Sequence, residues 1–140
     1  MRMPPQGYLL DTNVISEPQK PRPNPAVLTF LGSLQVPTYL SVLTIGELRR
    51  GDAGKRRRHA EMSGLYAAWI DSVEAAYGQR LLQVDKATAT LWGQLSADRT
   101  RAVIDTLLAA TAITHNLTLV TRNTRDVAGL PVKLLNPWQP

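Results

Sequence analysis

Short apolar runs alternate along this chain with longer stretches of helical periodicity. Tyr8-Leu9-Leu10 is apolar throughout and stops on the polar triplet Asp11-Thr12-Asn13, the pattern of a buried strand ending at a sheet rim. The proline-rich stretch 18–25 reads as a loop, because each proline turns its predecessor away from helix. A helix is expected over Ala26–Leu34, then a second strand over Thr38–Ser41, where β-branched and aromatic residues follow Pro37. Val42–Arg50 has helical spacing, with Gly51 placed where a C-cap would fall. Lys55–Tyr77 predicts a longer helix, with Met62, Leu65, Tyr66, Trp69, Ile70 and Val73 on its apolar stripe. Further strands are expected at Leu81–Val84, Leu117–Val120 and Leu134-Leu135, with helices over Lys86–Leu95 and Ala102–His115. Strands that alternate with helices predict an α/β fold built on a parallel sheet. No internal repeat or linker divides the chain, so one domain is expected.

Composition narrows the chemistry. The 140 residues carry 16 Lys and Arg against 11 Asp and Glu, for a net charge of +5. An excess of positive charge fits a polyanionic partner. Zero Cys excludes disulfides, thiol nucleophiles and Cys-based zinc sites. With His59 and His115 as the only imidazoles, any metal would be a hard cation held by oxygen. The polar start of the chain and the brief apolar run behind it offer neither a signal peptide nor a spanning helix, so a cytoplasmic, non-membrane protein is expected.

The acids fall at informative places. Asp11 follows the first strand and Asn123 the fourth, while Glu47 lies on the helix after the second strand. Asp105 begins the helix that leads back into the fourth strand. Parallel sheets bind ligands beyond the carboxyl ends of their strands, so these side chains would share one rim. Crowded carboxylates repel unless a cation neutralises them, and Mg²⁺ or Mn²⁺ suits an all-oxygen site. Such an ion orients and acidifies water for attack on a phosphodiester. Each acid also has a plainer role: Asp11 as an N-cap, Glu47 paired with Arg50, Asp105 complementing a helix dipole, Asn123 in a turn.

Four blocks of residues carry a family resemblance. The segment Leu9-Leu10-Asp11-Thr12-Asn13-Val14-Ile15-Ser16-Glu17 resembles the opening of PIN-domain proteins, in particular VapC/FitB-type toxin ribonucleases. The segments 40–51 around Glu47, 104–112 around Asp105 and 119–127 around Asn123 resemble the later blocks of that group, in order. Leu135-Asn136-Pro137-Trp138 is similar to the close of the FitB branch. The resemblance implies a single PIN domain over residues 1–140, three-layered α/β/α around a central, mostly parallel sheet of about five strands. It further implies a Mg²⁺- or Mn²⁺-dependent endoribonuclease with Asp11, Glu47, Asp105 and Asn123 in the active site. Asp11 and Asp105 would be the direct metal ligands, and Thr12 and Thr121 would orient the acids. The fourth family position is often acidic but is the amide Asn123 here, and Asp126 is a candidate for the missing carboxylate. The partners implied are an RNA substrate, a second copy of the chain and a VapB/FitA-like antitoxin. The antitoxin's C-terminal segment would lie in the acidic groove, and operator DNA would be reached only through it.

The basic residues leave alternatives open. Lys55-Arg56-Arg57-Arg58-His59 is either a landing surface for RNA phosphates or a solvated helix start. Arg122 and Arg125 flank the fourth-strand rim and are the expected substrate contacts. Trp69 and Trp92 read as packing residues, Trp138 as a tail anchor and His115 as a helix cap. The competing functional reading is a catalytically weak PIN-fold module that binds nucleic acid beside a DNA-binding partner, its weakness arising from Asn123. A phosphoacceptor domain or a dinucleotide enzyme is disfavoured: no early acidic pair and no G-x-G-x-x-G follow a strand.

Overall fold

The computed structural model describes residues 6–58 and 64–139. Its strands are β1 (Tyr8–Leu10), β2 (Thr38–Ser41), β3 (Leu81–Leu82), β4 (Thr118–Val120) and β5 (Leu134–Leu135). Its helices are α1 (Thr12–Ser16), α2 (Pro25–Gly32), α3 (Val42–Arg58), α4 (Leu65–Tyr77), α5 (Lys86–Leu95) and α6 (Val103–Thr114). All five strands run parallel in the order β3-β2-β1-β4-β5. Tyr8 lies opposite Thr38 on one side and Thr118 on the other.

The strands have two to four residues each, so their ladders alone hold little. Alternation of side chains builds a core on both faces instead. Leu9 and Leu119 pack with Leu108, Ala109 and Ala112 of α6 on one face. Leu10, Leu40 and Val120 pack with Val14 of α1 and Val73 of α4 on the other, joined by Ile45 and Trp69. Each fully buried Leu contributes about 1.5–3 kcal/mol relative to an exposed one, so these two faces dominate the stability. The expected three-layer arrangement is the observed one.

Gly7 enters β1 where its neighbours leave no room. A Cβ there would stand 2.9 Å from the Pro37 carbonyl oxygen and 2.9 Å from the Tyr39 ring. Because a backbone atom is one of those neighbours, relief requires β2 to move. Gly7→Ala should therefore destabilise the protein by about 1–3 kcal/mol, seen as a lowered Tm. An unchanged Tm would mean that this strand entrance yields freely.

The helices expected over Ala26–Leu34 and Ala102–His115 form within two residues of those bounds, as α2 and α6, whereas the two around Gly51 depart further. Gly51 does not end the helix after β2, and α3 runs on to Arg58. Glycine stops a helix when it takes a positive φ, and the described glycines that do so are Gly78 and Gly129. Gly78 closes α4 with φ of 51°. The helix expected over Lys55–Tyr77 is accordingly split: Lys55–Arg58 belongs to α3, and α4 begins at Leu65. Met62 and His59 lie outside the described residues. The third strand is shorter than expected, and the short helix α1 starts at Thr12, with Asp11 as its N-cap.

A candidate metal centre at the strand rim

The chain visits β1, β2 and β3 towards one edge of the sheet, then crosses to place β4 and β5 on the other. β1 and β4 thus flank the point where the order reverses, and a crevice opens there beyond their carboxyl ends. Asp11 is the first residue past β1 and is 4% exposed. Its N–H donates to the Val120 carbonyl at 2.9 Å, continuing the β1–β4 ladder by one residue. Its carboxylate is held at both oxygens. Oδ1 accepts the Thr12 N–H at 2.7 Å, which makes Asp11 the N-cap of α1, and Oδ2 accepts the Thr121 hydroxyl at 2.7 Å. The capping role and a role in the site therefore coexist in one residue. Burial raises the Asp11 pKa, and the two hydrogen bonds oppose it.

Thr12 reaches across to α3, where its hydroxyl donates to Oε1 of Glu47. Thr121 works similarly on the other side: its Oγ1 accepts the Asn123 N–H at 2.9 Å while donating to Asp11. The Thr12 hydroxyl thus meets Glu47, and the Thr121 hydroxyl meets Asp11. Asp105 sits in the first turn of α6, its helix register fixed by the buried Leu108, Ala109 and Ala112.

The Asp105 carboxyl is pushed up to about 7. Burial is the largest cause, followed by the Asp11 charge, a hydrogen bond and charge from Asp126, and the Glu47 charge. The Asp11, Asp126 and Glu47 carboxyls are therefore close enough to act on Asp105. Asp126 is brought to the rim by a 3-10 turn over Thr124–Val127, anchored by the buried Val127. Asn123 starts that turn through its backbone, its carbonyl accepting the Asp126 N–H at 3.2 Å. Among the described residues the Asn123 side chain makes no hydrogen bond to the acids or to the turn it begins.

The donor set suits a hard divalent cation. It offers oxygen alone, carries excess negative charge, and holds a proton at Asp105 that a cation would displace. Among the described residues no three His, Cys, Asp or Glu side chains stand together closely enough to hold a metal ion by themselves.

Other expected contacts are placed differently from the acids. The Arg122 guanidinium lies 5.2 Å from the Trp138 ring centroid, and its charge reaches Glu17. Trp138 also packs against the second core cluster, so it anchors the tail. Arg125 is exposed on the turn that carries Asp126. Trp69 packs into the core beside Tyr66, and His115 is the C-cap of α6.

Glu17 is the acid that sequence reasoning passed over. It is 2% exposed, with Lys20 Nζ 2.9 Å from Oε1 and the Asn24 N–H 3.4 Å from Oε2. Burial pushes its pKa up, but Lys20, Asn24 and the Arg122 charge outweigh that and hold it below the usual range. It ties together the loop between α1 and α2 through Lys20 and Asn24. Its signal was present: it is the only acid between Asp11 and Glu47.

The fold and site together define an α/β domain whose parallel five-stranded sheet gathers acids beside its switch point. Comparison with known proteins gives the family: the PIN domain model matches residues 8–129. Toxin FitB of Neisseria gonorrhoeae is 36% identical, aligned over 93% of this chain and 97% of that protein. VapC ribonuclease Y4jK of Sinorhizobium fredii is 34% identical over 94% of this chain and 98% of its own length. Among solved structures, FitAcB from Neisseria gonorrhoeae superposes with a TM-score of 0.78 at 34% identity, covering 95% of this chain and 99% of that one. FitAB bound to an IR36 DNA fragment gives 0.78 at 32% identity, over 94% and 95%. This chain belongs to the PIN-domain family, in the branch that holds the VapC- and FitB-type toxins.

Proposed function

We propose that the protein is the toxin of a toxin–antitoxin pair and a Mg²⁺- or Mn²⁺-dependent endoribonuclease that hydrolyses RNA phosphodiester bonds. The observation that carries this reading is the gathering of Asp11, Glu47 and Asp126 around Asp105 at one rim, where burial first and then their charges raise the Asp105 pKa to about 7. Asp11 and Asp105 are the proposed metal ligands, with Glu47 and Asp126 completing the negative field. A divalent cation bound there would supply Lewis-acid stabilisation and an acidified water. Thr121 and the Thr12 N–H fix the Asp11 carboxylate, and the Thr12 hydroxyl fixes Glu47. These bonds spare the acids from reorganising as charge develops on the phosphate. Arg122 and Arg125 stand near the same rim as candidate phosphate contacts.

The binding-module alternative rested on a missing fourth charge at Asn123. Asp126 supplies a carboxyl against Asp105, so that motive for it falls away. The proposal extends to partners: a second copy of the chain, an antitoxin of the VapB/FitA kind whose C-terminal segment fills the acidic groove, and operator DNA reached through it. The FitAcB and FitAB structures support this, the second because it holds DNA. No described helix is long and apolar enough to cross a membrane, and the RNA substrate places the proposed action in the cytoplasm.

The test is cleavage of RNA by protein stripped of any partner. Activity is expected with Mg²⁺ or Mn²⁺, absent with a chelator, and absent in Asp11→Ala. Cleavage that survives the chelator or the substitution would overturn the reading.

A further inference from the structure

A cavity of about 620 Å³ opens directly beside the acid cluster, lined by Thr12, Glu47, Arg50, Gly51, Ala53, Gly54 and Arg57. Apart from Thr12 its walls come from one helix, α3. Glu47, Arg50, Gly54 and Arg57 recur at helical spacing and share a face, with Arg57 two turns, about 10 Å, beyond Arg50. The cavity is therefore acidic where it meets the rim and cationic further along α3. Its floor is glycine, and a Cβ added at Gly51 would meet no atom within 4 Å.

The other described cations of α3 are engaged elsewhere. Arg49 donates to Asp71 at 2.6 Å and to Glu74 at 3.1 Å, which staples α3 to α4. Lys55 Nζ lies 4.4 Å from the Tyr66 ring centroid, and Arg56 Nε stands 3.3 Å from Asp52. Among the described side chains the basic cluster that looks uniform in sequence thus divides by direction, with Arg50 and Arg57 facing the cavity.

We propose that this cavity holds the RNA strand next to the cleavage position, with Arg50 and Arg57 contacting its phosphates and the glycine floor letting the sugar–phosphate backbone approach α3. This rests on the nuclease reading and assigns the path by which substrate enters that site. Among the described residues the lining holds no large aliphatic or aromatic side chain, so the stretch along α3 beyond Glu47 fits a strand of phosphates better than the apolar anchors of a protein partner. A strand of phosphates needs what the cavity offers: two guanidiniums and a surface without bulk.

The test uses the full chain, freed of partners, in chelating buffer so that binding is read without cleavage. The probe is a labelled, unstructured RNA oligonucleotide, and affinity is followed across chloride concentrations. Arg50→Gln with Arg57→Gln should flatten the log–log salt slope by about 1.4, from about 0.7 for each lost phosphate contact. Lys55→Gln with Arg56→Gln should leave the slope near that of the wild type. Gly51→Leu should weaken binding while keeping Tm at or above the wild-type value, since the new side chain enters the cavity and not the core. Equal slope changes in both double variants, or full binding by Gly51→Leu, would overturn the proposal. So would a salt slope that ignores Arg50 and Arg57 while capture of an antitoxin peptide depends on them. If the slope changes hold but metal never elicits cleavage, the nuclease reading fails and the strand-binding cavity stands.

Discussion

Asp105→Asn should abolish RNA cleavage and, in the same protein, remove a penalty on stability above neutral pH. Asp105 has its pKa raised from 3.8 to about 7 by burial and by the charges of Asp11, Asp126 and Glu47. The sign follows from linkage. A carboxyl that keeps its proton longer in the folded state contributes stability fully below its unfolded value, and that contribution is lost as pH rises through about 7. The metal-free wild type should therefore lose Tm between pH 5 and 8. Asn carries no such charge, so the variant's Tm should change less over that window. Added Mn²⁺ should return stability to the wild type at pH 8, by about 2.7 kcal/mol at a concentration 100 times Kd, and should return little to the variant. Cleavage should fall by at least the roughly 100-fold that loss of groups around a metal produces. Paired thermal scans and cleavage assays check both halves. A variant as pH-sensitive as the wild type would place the crowding elsewhere.

Asp126→Asn should cost cleavage or Mn²⁺ affinity about 10–100-fold, and Asn123→Ala much less. The two residues compete for the fourth position of the site, and they reach it differently. Asp126 presents its carboxyl to Asp105. Asn123 contributes its N–H to Thr121 and its carbonyl to the turn, both of which survive truncation to alanine. Metal titrations on the two variants separate them, and the reverse order of effects would return the position to Asn123.

Much of this was legible in the sequence because it depends on local pattern. The abrupt change from Leu10 to Asp11 marks a strand end, and strand ends in a parallel sheet share a rim. Lys86–Leu95 matches α5 at both ends, helped by Asp85, whose carboxylate caps it through the Thr88 N–H. What stayed hidden depends on tertiary placement. Gly51 and Gly78 look alike in sequence, yet only Gly78 adopts the left-handed turn that ends a helix. The division of the basic cluster follows from α3 continuing past Gly51, which sets where Arg57 points. Asp126 lies only three residues beyond Asn123, and nothing short of the 3-10 turn decides which of them meets Asp105. Glu17 was missed because its burial depends on Lys20 and Asn24 folding back over it.

The central claim is that Asp11, Asp105 and their acidic neighbours form one cation site. Calorimetric titration of the metal-free protein with Mn²⁺ at pH 6, repeated in buffers of different ionisation enthalpy, tests it most directly. At that pH Asp105 holds a proton that the cation must displace. The account predicts saturable binding by the wild type with proton release, loss of binding in Asp11→Ala, and weak binding without that release in Asp105→Asn. Unaltered Mn²⁺ binding by both variants, or no binding by the wild type, would contradict it.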